Sequence, residues 1–341
     1  MRISDYDYNL PEARIAQFPP AVRGNTRLLA LNRQSGAIEH RRYGDMADYL
    51  MAGDVVVLNR TKVIKARLLA HNDQGQEREL LLIESHGNES PSARRAIYRG
   101  KLRTGEILTV GSAKVTVEAI LEGGLVDIRS STDLLELAEA TGSVPLPPYM
   151  KRAATEDDQA RYQTVFAKEA GSVAAPTASL NFTPELADKL TTKGVQIVYL
   201  TLHVGLGTFL PIRSDSVEDH VMHSEHYDIP TKTVAAIHAA KQAGKRICAV
   251  GTTVARTLEY TATDILKSKP ANLQGEADIF MFPGYEFKLV DLLLTNFHAP
   301  RSTVLMLAAA FAGWDHLLTA YQEALAEEYN FLSYGDSMLI Y

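Results

Sequence analysis

Four short stretches carry the residue types that proton transfer or anion binding needs. In TLHVGLGTF (201–209) an apolar run ends at His203, and Gly205, Gly207 and Thr208 follow, so a ligand can approach the backbone closely beside an imidazole. A tight turn next to a core histidine explains the same composition equally well. The third glycine of a dinucleotide fingerprint is missing, and Leu210-Pro211 stands where a helix should begin. In AVGTTVART (249–257) a strand runs into Gly251-Thr252-Thr253 and then a helix bearing Arg256. Free amides at a helix start, two hydroxyls and a guanidinium form a cradle for a carboxylate or other anion, with plain threonine capping as the competing explanation. No Gly-Lys-Ser/Thr occurs there, so nucleotide hydrolysis is not expected.

The third stretch, DHVMHSEHYD (219–228), spaces His220, His223 and His226 by three around Glu225. A helix would splay these imidazoles over nearly a full turn, and Asp219 and Glu225 can simply pair with them, so a general acid or base is favoured over a metal site. The fourth, LLTNFHAPRS (293–302), places Asn296, His298 and Arg301 on a loop between a strand and an apolar helix that Ser302 can cap, a setting suited to a cleft. Gly284 and Glu286 in FPGYEF and Tyr334 and Asp336 in SYGD are weaker signals. Basic residues gather at Arg60, Lys62, Lys65 and Arg67, and again at Arg94, Arg95, Arg99, Lys101 and Arg103. The second run surrounds Tyr98 with no acid inside it, which suits a phosphate backbone as well as it suits a solvated strand face.

The elements that must position these groups change character along the 341 residues. Helical and strand patterns mix at the start: a short helix at 11–18, a strand at 27–31, a helix near 45–50 and the apolar strand DVVVLN at 54–59. Between about 62 and 129 come six short β runs separated by turn residues, the pattern of a small antiparallel barrel. A helix at 133–140 opens on Asp133 with Glu136 three residues on, and VPLPPY (144–149) is extended. Alternating helices and strands then resume: a helix opening at Thr183-Pro184-Glu185 and closed by Gly194, a strand at 195–202, a helix at 232–243 and a strand at 247–250. A helix from about 253, a strand at 278–282, helices at 302–311 and 315–328 and a last strand near 337–340 complete the chain. The economical fold is α/β: a discontinuous α/β domain, 1–67 plus 150–341, with an all-β domain inserted at 68–149.

Composition narrows the function. The net charge is −6, so any nucleic-acid contact rests on a local patch. Cys248 is the only cysteine, which excludes disulfides, thiolate zinc sites and iron–sulfur clusters held by one chain, and its apolar strand makes it core packing rather than a nucleophile. The first residues hold two aspartates and no apolar core of a secretory signal, and no apolar stretch reaches the ~20 residues of a bilayer helix, so a cytoplasmic location without membrane contact is expected.

Taken together, YDYNLPEARIAQFP, GDVVVLNRTKVIKARL, PLPPY, RYQTVFAKEAGSVAAPTASLNFTPEL, TLHVGLGTF, HVMHSEHYDI, VGTTVARTLE, FPGYEFKLVDLLLTNFHAPRSTVLMLAAAFAG and FLSYGD resemble, in order and over essentially the whole chain, the S-adenosylmethionine:tRNA ribosyltransferase-isomerase family. The resemblance implies an α/β barrel-like domain with an inserted six-stranded antiparallel barrel. It also implies a transferase of queuosine biosynthesis. The ribosyl group of S-adenosylmethionine, the cosubstrate, would be moved and isomerised onto 7-aminomethyl-7-deazaguanine at the tRNA wobble position, giving epoxyqueuosine, adenine and methionine. No metal is expected, and the chain is expected to be a monomer.

On this resemblance His203, His223, Glu225, His298 and Asp336 are candidates for catalysis. Gly205, Gly207, Thr208, Thr252, Thr253, Arg256, Gly284, Glu286 and Asn296 are candidates for holding the cosubstrate, and Arg60, Lys62, Arg67, Arg99 and Lys101 for holding RNA. The chain departs from the family pattern at Asn181, where a histidine is expected, and an amide cannot replace an imidazole that transfers protons. It departs as well at Lys62, Lys65, Ser179, Leu210, Val254, His226 and Asn330. A relative using another acceptor, or a tRNA-binding protein without turnover, is the alternative, and the test is whether Ser179 and Asn181 line the pocket.

Overall fold

The computed structural model describes residues 1–83, 90–205, 212, 214–266 and 269–341. Chain order begins with β1 (Arg27–Leu31), β2 (Ile38–Arg42), β3 (Val55–Asn59) and β4 (Thr61–Val63). The strands β5 (Arg67–His71), β6 (Glu77–Leu82), β7 (Ala93–Arg99), β8 (Ile107–Val110), β9 (Ala113–Ile120) and β10 (Leu125–Ser130) follow, then α1 (Leu134–Thr141), α2 (Glu156–Arg161) and β11 (Glu169–Ser172). Next come α3 (Pro184–Thr192), β12 (Gln196–Leu202), β13 (Glu225–Ile229), α4 (Thr231–Gln242), β14 (Ile247–Val250) and α5 (Thr252–Tyr260). The chain finishes with α6 (Ala262–Ile265), β15 (Leu273–Ala277), β16 (Leu292–Asn296), α7 (Thr303–Ala312), α8 (Trp314–Ala326) and β17 (Ser337–Ile340).

Among the described residues nine strands form one mixed sheet in the order β15-β13-β12-β3-β14-β16-β17-β1-β2. Its centre, β12-β3-β14-β16, is parallel. Every residue of β3, β14 and β16 is buried, because VVVLN, ICAV and LLLTN carry apolar groups to both faces, as a sheet covered on both sides requires. Cys248 lies in this core with its thiol pushed up to about 12 by burial, an inert packing group. The six strands β5–β10 close into a separate antiparallel barrel in the order β10-β7-β6-β5-β8-β9, filled by alternate residues such as Leu68, Leu80, Ala96, Val115 and Ile128. Outside it, β4 pairs with β11 in a two-stranded ribbon next to the crossing into the barrel.

Caps fall where the sequence places them. Asp133 accepts from the Leu135 and Glu136 amides at the start of α1, Thr183 from Leu186 in α3, and Ser302 from Leu305 in α7. Three expectations do not hold. The segment 11–18 forms one short 3₁₀ turn, Glu12–Arg14, because its flanking prolines leave no room for a helix. The strand expected at 278–282 lies earlier, at Leu273–Ala277, and 278–283 is loop. The histidines 220 and 223 sit on loop and His226 on β13, so helical splay does not apply. No single helix among the described residues is long and apolar enough to cross a membrane.

Candidate active site

The parallel strands β12, β14 and β16 point their C-terminal ends at a cleft, the place where open α/β sheets bind ligands. It has two lobes. The larger, about 760 Å³ of empty space, is lined by Tyr149, Tyr162, Ala174–Ala178, Val204, Gly251–Thr253, Thr295–Ala299 and Leu332-Ser333 among others. The smaller, about 520 Å³, is lined by Met222, His223, Glu225, Arg256, Phe280 and Met281, and Thr252, Thr253 and Val304 belong to both lobes.

The dividing wall is the start of α5. Gly251 stands at φ +98°, a backbone conformation that side-chain-bearing residues rarely adopt, and its amide donates to the Leu294 carbonyl at 2.7 Å. No side chain caps this helix, so its first amides face the cleft with their positive dipole end. Thr253 Oγ1 is buried there without a partner. One turn on, Arg256 is 9 % exposed: Nη2 reaches Glu225 Oε2 at 2.6 Å and the Ala277 carbonyl at 3.1 Å, while buried Nε has no partner. Glu225 turns its other oxygen to the Gly205 amide at 2.9 Å, tying the backbone that follows β12 to the arginine. Orphaned buried donors beside a helix start are a site prepared for an anion.

Across the larger lobe, β16 delivers Asn296 and His298. Thr295 Oγ1 lies 2.8 Å from His298 Nε2, and the backbone of His298 is held on both sides, its amide by Tyr321 Oη at 3.0 Å and its carbonyl by Tyr8 Oη. Enclosure in this aromatic wall pushes the imidazole down to about 3, so it is neutral near pH 7. Asn296 Oδ1 accepts from Thr177 Oγ1 at 2.8 Å. Two residues near the lobe keep φ positive without being glycine: Arg301 at 57° and the lining residue Leu332 at 67°, conformations that persist only where surrounding packing enforces them.

The structure therefore brings together His223, Glu225, Thr252, Thr253, Arg256, Asn296 and His298, and places His203, Asp336, Gly284 and Glu286 elsewhere. His203 is buried behind the cleft with Nδ1 2.8 Å from Thr61 Oγ1, against Gly171. Asp336 accepts from the Arg27 and Asn330 amides at 2.7 and 2.8 Å and lines neither lobe, and Tyr334 donates to buried Asp158. Gly284 and Glu286 are exposed and line neither lobe. Gly205 meets the site only through its amide, and Gly207, Thr208 and Leu210 lie outside the described residues.

Ser179 and Asn181 are buried but line neither lobe; Asn181 Oδ1 accepts from the Gly24 amide at 3.4 Å, so these departures remove no cleft group. Tyr149, Tyr162, Thr295 and Ser333 are lining residues that the residue pattern did not single out; Tyr149 ends the proline-rich VPLPPY, and its hydroxyl meets Ser333 Oγ. His226 faces Glu276 at 3.3 Å and His220 packs edge-on against Phe280; among the described residues no three such groups gather as metal ligands would.

The basic run of the barrel is not the acid-free stripe its sequence suggests. Antiparallel pairing sets Asp127 beside Arg95, with Nε–Oδ1 at 2.8 Å, and Glu79 between Arg67 at 2.8 Å and Arg99 at 3.7 Å. Arg60 is drawn to Thr201 Oγ1 and Glu169. Lys62 and Lys101 are exposed.

A profile of the family described as queuosine biosynthesis protein matches residues 3–340. Similar curated proteins include the S-adenosylmethionine:tRNA ribosyltransferase-isomerases of Chlorobium chlorochromatii, 55 % identical over 100 % of both chains, and Pelobacter propionicus, 46 % identical over 100 % of both. Among solved structures, the S-adenosylmethionine tRNA ribosyltransferase of Thermotoga maritima is 36 % identical, covers 99 % of this chain and 100 % of its own, and superposes with a TM-score of 0.57.

Proposed function

The chain belongs to the queuosine biosynthesis protein family, and from that premise we propose that it is an S-adenosylmethionine:tRNA ribosyltransferase-isomerase. It moves the ribosyl group of S-adenosylmethionine, with isomerisation, onto 7-aminomethyl-7-deazaguanine at the wobble position of a tRNA, and adenine and methionine leave. The observation that carries the assignment to this cleft is the pair of orphaned donors in its dividing wall, Thr253 Oγ1 and Arg256 Nε, beside the uncapped start of α5. They suit the carboxylate of the methionine portion, and Glu225 holds Arg256 in place for it. The larger lobe, walled by Tyr149, Tyr162 and Phe297, suits the nucleoside, with Asn296 for a polar edge.

When bound, the sulfonium acidifies the protons on its adjacent 5′ carbon. His298, which lines the larger lobe, takes one of them on this reading. It is kept neutral, and its Nε2 pairs with Thr295 Oγ1, which fixes the ring at the lobe. His223, exposed in the smaller lobe, can supply a proton to a leaving group. His203 and Asp336 act as positioning residues, through Thr61 and through the Arg27 and Asn330 amides respectively. Lys62, Lys101 and the shared Arg99 contact RNA phosphates, while Arg60 and Arg67 mainly hold carboxylates. On the same reading the protein acts as a monomer, in the cytoplasm with its tRNA.

Incubation with tRNA carrying the aminomethyl base and S-adenosylmethionine labelled in either the ribose or the methyl group tests the assignment. Ribose label enters the RNA and methyl label does not. Methyl label in the RNA, or no label from either position, contradicts it.

A further inference from the structure

Beside the cleft, one aromatic ring is presented to solvent rather than packed. Phe18 is 62 % exposed, and the guanidinium carbon of Arg152 lies over its ring, 4.3 Å from the centroid. Arg152 is not a mobile surface chain. Its Nη1 and Nη2 grip the two oxygens of Asp158 at 2.6 and 2.8 Å, and Asp158, 1 % exposed, also accepts from Thr155 and from Tyr334 Oη. The ring is thus held from below by a built network.

That network joins the cleft wall. Arg152 Nε donates to the Gln17 carbonyl at 2.9 Å, and Gln17 Nε2 donates to the carbonyl of Tyr149, a lining residue, at 3.2 Å. On its other flank the same segment bridges to 331, with Phe331 N donating to the Arg14 carbonyl and Ala16 N to that of Phe331, directly before lining residues Leu332 and Ser333. Nearby Arg23 and Arg161 donate to backbone carbonyls, Gln163, Leu180 and Ala160 for the first and Pro20 for the second.

An exposed aromatic ring backed by a fixed arginine is the arrangement on which unpaired bases stack. We propose that Phe18, clamped by Arg152, is a stacking platform on the cleft rim for an unpaired base adjoining the nucleotide under modification. The proposal rests on the tRNA-modifying function above: a wobble nucleotide drawn into the cleft brings its single-stranded neighbours to this rim.

The test measures binding of a labelled anticodon hairpin, with 7-aminomethyl-7-deazaguanine at the wobble position, to the full-length protein by fluorescence anisotropy. Phe18→Ala binds about tenfold or more weakly, the order one base–aromatic stack supplies, whereas Phe18→Tyr and Phe18→Trp bind as wild type does. Hairpins made abasic on either side of the wobble nucleotide locate the partner: one of them abolishes the difference between wild type and Phe18→Ala. Met51→Ala, removing an exposed side chain just before the N-terminal end of β3, changes nothing. Calorimetric binding of S-adenosylmethionine to Phe18→Ala equals wild type, separating a lost stack from a damaged fold. Wild-type binding that Phe18→Ala leaves intact overturns the platform alone; a wild-type protein that binds none of the hairpins overturns the tRNA-modifying function as well.

Discussion

The barrel and the cleft treat their polar groups in opposite ways. On the barrel wall, cations meet acids across strands, Arg95 with Asp127, Arg129 with Glu118, and Arg67 and Arg99 with Glu79, while every second residue fills an apolar core. In the cleft, an uncapped helix start, an orphaned hydroxyl and an orphaned guanidinium nitrogen stay open, a histidine is held neutral, and Leu332 keeps a left-handed backbone. Two of the buried polar atoms without a partner, Thr253 Oγ1 and Arg256 Nε, adjoin the same uncapped helix start, and it is this clustering that marks where a ligand completes the fold. The barrel wall ties Arg67, Arg95, Arg99 and Arg129 to acids, whereas the cleft wall leaves Thr253 Oγ1 and Arg256 Nε open.

The sharpest way to break this contrast is through His298. His298→Gln lowers kcat by about 10²–10⁴-fold, the usual worth of a positioned base, and leaves the KM for S-adenosylmethionine nearly unchanged, as steady-state adenine release reports. Next is Arg256→Met, which takes the guanidinium away from Glu225, a carboxylate only 3 % exposed. Removing one partner of such a pair costs about 3–5 kcal/mol by denaturant unfolding and abolishes S-adenosylmethionine binding, whereas Glu225→Gln combined with Arg256→Met recovers stability without recovering binding. In the barrel, Leu80→Ala costs a comparable ~2–5 kcal/mol, yet the folded variant binds S-adenosylmethionine as wild type does.

A pH titration separates the regions further. With the His298 imidazole at about 3 in the folded state and near its usual 6.5 when unfolded, the unfolded chain binds the extra proton between these values, so stability falls as pH drops from about 6.5 towards 3. His298→Gln reduces the slope of that part of the melting-temperature profile, and His220, also lowered by burial, retains the rest. The carboxylates of Asp158 and Asp54, held below their usual range chiefly by Arg152 and Arg246, act only further into acid. The smallest effect belongs to the barrel surface: replacing Arg99 and Lys101 together by Ala weakens RNA binding a few-fold and lowers its salt slope by about two at most, less to the extent that Glu79 already engages Arg99.

The same contrast explains what the residue pattern could reveal. All six barrel strands are legible, because alternation and turn residues are local signals, as are the caps at Asp133, Thr183 and Ser302. The anion cradle at Thr252–Arg256 is legible too, because strand, glycine and helix adjoin in sequence. What escapes is long-range. Glu79 neutralises Arg99 only through strand pairing, Asp336 is consumed by amides at 27 and 330, and Tyr149 becomes a cleft wall only when VPLPPY folds against 333. The loop at 278–283 reads as a strand because aromatic and apolar residues alternate there, but Phe280 and Met281 line the smaller lobe instead.

The most direct test is mass spectrometry of the nucleosides of a tRNA bearing 7-aminomethyl-7-deazaguanine after reaction with S-adenosylmethionine, with free adenine measured in the same samples. Epoxyqueuosine at the wobble position with adenine released mole for mole is the predicted result. Adenine release from an unchanged tRNA, or an unchanged tRNA with no adenine, would contradict it.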